Sequence, residues 1–172
     1  MPAVLPRDHV TGLAHRDAIE RFLERCRATD VGGPGPALTV TGGSRVETRA
    51  SSQQRQQAAF VMVDVVGLKS ANEQGGFSAG DALLRLAADR LRELAPDARL
   101  LVRLGGDELV AVFTGPAAAE RAARSAAAAL ADGSSPRLRA GWTARLPGEP
   151  AAVLLDRLYA NARHGLHPSP GG

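Results

Sequence analysis

Apolar residues in this chain fall into short unbroken runs alternating with longer stretches in which they recur at every third or fourth position. Phe60-Val61-Met62-Val63-Asp64-Val65-Val66 is one run of strand length, and Leu100 to Leu104 and Leu109 to Phe113 are two more. Residues Gly67 to Gln74 and Ser78 to Leu94 lie between the first and second runs, and Leu83, Leu84, Leu86, Ala87, Leu91 and Leu94 stand at helical spacing. Gly105-Gly106 supplies the positive φ that a tight hairpin between the second and third runs needs. An Ala-rich helix over Pro116 to Leu130 and a strand near Arg139 to Ala144 follow. Upstream, Asp17 to Ala28 reads as a first helix.

The resulting order of strand, helix, strand, strand, helix, strand predicts an α+β fold. It has a ferredoxin-like or palm-type βαββαβ core, with an antiparallel central sheet and helices packed on its faces. In that arrangement the first and third strands are antiparallel neighbours. The end of the first, carrying Asp64, then lies beside the start of the third, which follows Asp107 and Glu108. Three carboxylates are expected to converge there. Buried strands rarely carry such charge unless it is paired or binds a metal. Hard oxygen ligands suit Mg²⁺, which keeps waters and phosphate oxygens in its shell, so the residues themselves point to a Mg²⁺-nucleotide site.

Three blocks of this sequence resemble the GGDEF domains, whose active members are diguanylate cyclases. Asp8-His9-Val10-Thr11-Gly12-Leu13-Ala14-His15-Arg16 is similar to the family's opening turn D-x-L-T-G-L-x-N/H-R. Asp64, Lys69, Asn72, Gly76 and Gly80-Asp81 are similar to D-I-D-x-F-K-x-I-N-D-x-x-G-H-x-x-G-D. Arg103-Leu104-Gly105-Gly106-Asp107-Glu108-Leu109 is similar to R-x-G-G-D/E-E-F. The resemblance covers residues 8 to about 165.

That resemblance implies a set of roles. Asp64 and Asp107 match metal ligands, the Val65 carbonyl is an added ligand, and Glu108 helps hold Mg²⁺ (or Mn²⁺) or activates a 3′-hydroxyl. Asn72 and Asp81 match the pair that reads the guanine edge, a task suited to a carboxylate accepting from N1–H and N2–H₂. Lys69 matches a phosphate-contacting lysine, and it is the one lysine among 21 Lys and Arg residues. A solvated surface lysine is the alternative for that position. The reaction implied joins two GTP molecules into cyclic di-GMP with loss of two pyrophosphates. Each copy holds one GTP, so a homodimer is required.

The departures from the family pattern fall at named positions. Val66 replaces the second Asp of D-I-D, Leu68 and Leu109 replace Phe, Glu73 replaces Asp, and Phe77 replaces His. In Leu158-Tyr159-Ala160-Asn161-Ala162-Arg163-His164-Gly165, Ala162 stands where a phosphate-binding Lys is expected and Leu166 where an Arg is expected. Arg163, one position off, is the candidate nucleotide-binding replacement, with Arg157 as a second. Charged hydrogen bonds contribute roughly 1.5–3 kcal/mol each, so losing one or two weakens GTP binding tenfold or more. The family's inhibitory R-x-x-D maps to Pro96 and Arg99, and neither fits, so no feedback inhibition through that site is expected. Arg92, Arg99 and Arg103 read as a solvated basic face.

Length and composition narrow the picture further. The 172 residues, 44% of them hydrophobic, suit one domain spanning 8–166, with a tail at 1–7 and a disordered tail at 167–172. Residues 29–57, rich in Gly, Ser, Thr and Gln, read as a flexible insertion with a possible short β-excursion at 37–41 and a possible partner-docking role. The single cysteine, Cys26, expected on the buried side of the first helix, excludes an intrachain disulfide and fits a reducing cytoplasm. Neither a signal peptide nor a bilayer-length apolar segment is read, so no membrane association is expected. The net charge of +3 is dispersed without an aromatic-basic platform, which argues against nucleic acid as partner. The four histidines lack metal-ligand spacing, and His15 reads as structural.

The leading expectation is therefore a cytoplasmic, Mg²⁺-dependent, homodimeric diguanylate cyclase domain. The alternative is a degenerate member that binds GTP or cyclic di-GMP and signals through a regulatory protein partner without catalysis. A purely structural dimerisation module leaves the acids unexplained.

Overall fold

The computed structural model describes residues 6–31 and 57–164. Most of the expected insertion, with its β-excursion, most of the N-terminal tail and all of the C-terminal tail lie outside them. Of the described insertion residues, 29–31 instead continue the first helix and Gln57 directly precedes the next strand.

In chain order the elements among the described residues are β1 (Ala14–His15), α1 (Arg16–Val31), β2 (Ala58–Val65), α2 (Leu68–Leu94), β3 (Leu100–Gly105), β4 (Glu108–Thr114), α3 (Ala118–Ala131), β5 (Leu138–Ala144) and α4 (Ala151–His164). One five-stranded sheet runs β1-β3-β4-β2-β5. All its pairings are antiparallel except β1 with β3. β2 lies between β4 and β5 and is buried on both faces, which is why it reads as a nearly continuous apolar run with no polar alternation.

Strand periodicity divides the core into two layers. Val61, Val63, Val65, Leu109, Ala111 and Phe113 face α2 and α3, where Leu84, Ala87, Leu91, Ala122 and Ala126 are buried. Phe60, Met62, Val110 and Val112 face α1 and α4, meeting Ile19, Leu23, Leu154 and Leu158. Each fully buried side chain of this size contributes roughly 1.5–3 kcal/mol by leaving water. Of the α2 stripe expected inside, Leu84, Ala87 and Leu91 are buried, Leu83 and Leu94 are partly buried, and Leu86 is exposed.

The two helical pieces expected either side of residues 75–77 form one element with a sharp kink at Gly76 (φ 70°, ψ −178°). That conformation is accessible to glycine and strained for other residues. The bend lays the first segment against the second, so that the Asn72 side chain crosses at Gly80. A Cβ at Gly80 would overlap the Asn72 amide.

Candidate functional site

The ends of β2 and β4 meet in register, with Asp64 paired directly opposite Glu108. The Val65 N–H donates to the Asp107 carbonyl at 3.0 Å, tying the end of β2 to the hairpin tip. Gly106 at the tip has φ 49°, in the left-handed region that favours glycine. Asp64 is half-buried, and its carboxyl is pushed above the ordinary range. Burial is the main cause, followed by repulsion from and hydrogen bonding with Asp107, and Arg139, 3.7 Å away, only partly offsets these.

Two acids held together this way are what a cation would separate and neutralise. The third acid, Glu108, is paired opposite Asp64 and repels it as expected, but its carboxylate is also engaged elsewhere. Glu108 Oε2 accepts from the Tyr159 hydroxyl at 2.9 Å, which anchors it to α4. Burial and the adjacent Glu108 carboxylate raise the Tyr159 pKa, keeping it a donor. Among the described residues no group of three or more His, Cys, Asp and Glu side chains is gathered to hold a metal. The donor set nevertheless fits Mg²⁺, which is ordinarily bound by one or two carboxylates completed by water and phosphate oxygens and not by an all-protein cage.

Beside the acids lies a cleft of about 360 Å³ lined by Leu68, Lys69, Asn72, Glu73, Gly106 and Asp107. The first segment of α2, which directly follows β2, thus carries the expected base-reading Asn72 and the expected phosphate contact Lys69 into the same cleft as Asp107. The Lys69 side chain is 90% exposed and 3.8 Å from Glu73, so no strong partner holds it back from an incoming anion. Asp81, adjacent to Gly80, stands 4.0 Å from Arg85.

The hairpin itself is clamped from the far end of the chain. Arg103 donates to both carboxylate oxygens of buried Asp8 at 3.1 Å and to the Gly106 carbonyl at 2.8 Å. Asp8 also accepts from the Thr11 N–H at 2.8 Å and the Thr11 hydroxyl at 2.7 Å. Burial opposes the charged form of Asp8, but the Thr11 and Arg103 hydrogen bonds outweigh it and bring its pKa down to about 2. The opening turn and the hairpin are thus one unit. Arg103 is correspondingly not the solvated surface arginine expected of it. Arg92 too is engaged, with its guanidinium donating to the Thr11 carbonyl at 2.8 Å.

The α4 end differs more from expectation. Ala162 is buried against β5, and a Cβ at Gly141 would overlap the Ala162 backbone. The position where a phosphate-binding lysine is expected is therefore a packing position. Arg157 does not replace it, since its guanidinium binds Glu149 at 3.0 and 2.8 Å and the Ala144 carbonyl at 2.9 Å. Arg163 is exposed on the last turn and, with Arg16 of α1, acts electrostatically on Tyr159. Leu166 lies outside the described residues.

Sequence reasoning gave no role to Arg103, Tyr159, Arg139 or Arg16. The first two act over 95 and 51 residues of chain, and no local spacing signals such pairs. Cys26 is half-buried, and burial raises its thiol pKa.

A family model described as "Diguanylate cyclase, GGDEF domain" matches residues 44–158. An uncharacterized protein of Mycobacterium tuberculosis is 30% identical over 115 residues, covering 67% of this chain and 15% of that protein. The diguanylate cyclase TpbB of Pseudomonas aeruginosa is 34% identical over 96 residues, covering 55% of this chain and 22% of that one. The match thus spans less than a quarter of these relatives' length. In fold it is similar to the GGDEF domain of DgcB from Caulobacter crescentus, solved in complex with c-di-GMP, with a TM-score of 0.65 at 22% identity over 96% of this chain and 94% of that one.

Proposed function

Because this chain belongs to the GGDEF family, we propose that it is a diguanylate cyclase domain, condensing two GTP molecules into cyclic di-GMP between two copies of itself. The observation that carries the reading is a cleft lined by Asp107, Asn72 and Lys69, with Asp64 hydrogen-bonded to the Asp107 that lines it. Asp64, Asp107 and the Val65 carbonyl are the residues to hold Mg²⁺ or Mn²⁺, which when bound stabilises charge on the α-phosphate and makes the attacking 3′-hydroxyl more acidic.

Asn72 and Asp81 read the guanine edge, and Lys69 and Arg163 contact the phosphates. Glu108, held by Tyr159, in this reading orients the 3′-hydroxyl and accepts its proton. Each attack forms one phosphodiester bond and releases one pyrophosphate. Ring closure needs the same event in the opposite direction, hence the homodimer. The lone Cys26 supports a reducing compartment, and we place the domain in the cytoplasm.

A second reading has its own support in the buried Ala162 and the sequestered Arg157. In it, GTP or cyclic di-GMP binds without turnover and the domain signals through a protein partner. Mass-spectrometric detection of cyclic di-GMP after long incubation of concentrated protein with GTP and Mg²⁺ separates the two. The cyclase yields product that falls about 100-fold or more in Asp107→Ala. Folded protein that binds GTP but makes no product establishes the second reading.

A further inference from the structure

We propose that Phe77 is a stacking platform for the purine base, so that this chain grips its nucleotide by the base face as well as by the base edge. The inference rests on the guanine-nucleotide reading above and adds a base-binding residue to it.

Phe77 is the most exposed of the large apolar side chains among the described residues, at 85% of its surface. Among the described residues its ring is left almost wholly to water, where a phenylalanine forgoes the burial that its ring area offers. It directly follows the kink residue Gly76, where the second segment of α2 begins. Residues four apart on a helix are neighbours about 5–6 Å apart at Cβ, so Phe77 and Asp81 share one face. Asn72 reaches the same place from the first segment, lying over Gly80. An exposed aromatic ring thus shares a helix face with the carboxylate that, with the neighbouring amide, is proposed to hold a purine by its edge.

Edge hydrogen bonds fix a base in its plane but leave its faces to water. A flat apolar ring beside them supplies the missing contact. Base stacking on an aromatic side chain typically changes affinity roughly tenfold. The gain falls at the base end of the nucleotide, opposite the α4 end where Ala162 provides no phosphate contact.

Titration calorimetry of the full chain with GTP and with GMP, in Mg²⁺, tests this in Phe77→Ala, Phe77→Leu and Phe77→Tyr. Phe77→Ala is expected to weaken both ligands by the same factor, about tenfold, because the base is common to them. Phe77→Leu should lose nearly as much, and Phe77→Tyr should bind as the parent does. Unchanged affinity in Phe77→Ala overturns the stacking role while leaving the nucleotide site standing. Full retention in Phe77→Leu, or loss of self-association in place of affinity, makes the ring a generic apolar or intersubunit contact and overturns it equally. A parent protein that binds neither ligand overturns the guanine-nucleotide reading itself, and this proposal with it.

Discussion

The two ends of the proposed nucleotide site are built by opposite means. At the acid end, strand register sets Asp64 opposite Glu108, the Val65 N–H holds the Asp107 carbonyl, and Arg103 locks the hairpin to Asp8. At the α4 end, the helix packs so close to β5 that Ala162 serves the core, and Arg163, one position on, is exposed. The contrast teaches that the half of the site held by backbone pairing keeps its chemical residues. The half carried by one helix face can trade a charged contact for packing, because a shift of one position exchanges a buried residue for an exposed one.

The strongest way to break the comparison is to loosen the acid end. Arg103→Ala leaves the buried Asp8 carboxylate without its cation and frees the Gly106 carbonyl, so unfolding stability should fall by about 3 kcal/mol in a denaturant titration. If the loss is under about 1 kcal/mol, the clamp is not what holds the hairpin.

Acid should act on the same clamp. Asp8 titrates at about 2 in the folded protein against an ordinary 3.8, so the folded state favours its ionised form. That stability is fully present above the ordinary value and is lost as pH falls from about 4 toward 2, amounting to roughly 2.5 kcal/mol at 1.36 kcal/mol per pKa unit. Melting curves across this window should be steeper in pH for the parent than for Asp8→Asn.

The α4 end sharpens the contrast through two substitutions. Ala162→Lys restores the family's residue at a buried position, so it should lower stability by about 2 kcal/mol and leave GTP affinity unimproved. Tighter GTP binding with intact stability would show that α4 can turn to present this position. Arg163→Ala should weaken GTP binding by about tenfold at low salt and by less at high salt, since the contact is exposed. GMP binding should change less in the same variant.

Much of the core fold was legible because its signals are local. Apolar runs gave β2, β3 and β4, the Gly-Gly turn gave the hairpin, and the interruption around Gly76 marked the kink of α2. Asp64 beside the hairpin followed from strand order alone. What escaped the sequence depends on tertiary placement. Glu108 turning to Tyr159, Arg103 turning to Asp8, and Arg157 closing on Glu149 are side-chain choices between distant or differently folded segments. The burial of Ala162 likewise depends on how closely α4 approaches Gly141. The two-residue β1, parallel to β3, is too short to leave a pattern.

The central claim is that the acid pair makes this cleft a metal-dependent guanine-nucleotide site. The most direct test is calorimetric titration of GTP and of ATP into the protein with Mg²⁺ and with a chelator, beside Asp64→Asn. The account predicts GTP binding that depends on Mg²⁺, exceeds ATP binding, and weakens at least tenfold in Asp64→Asn. GTP and ATP bound equally, or GTP bound equally well with Mg²⁺ chelated, would contradict it.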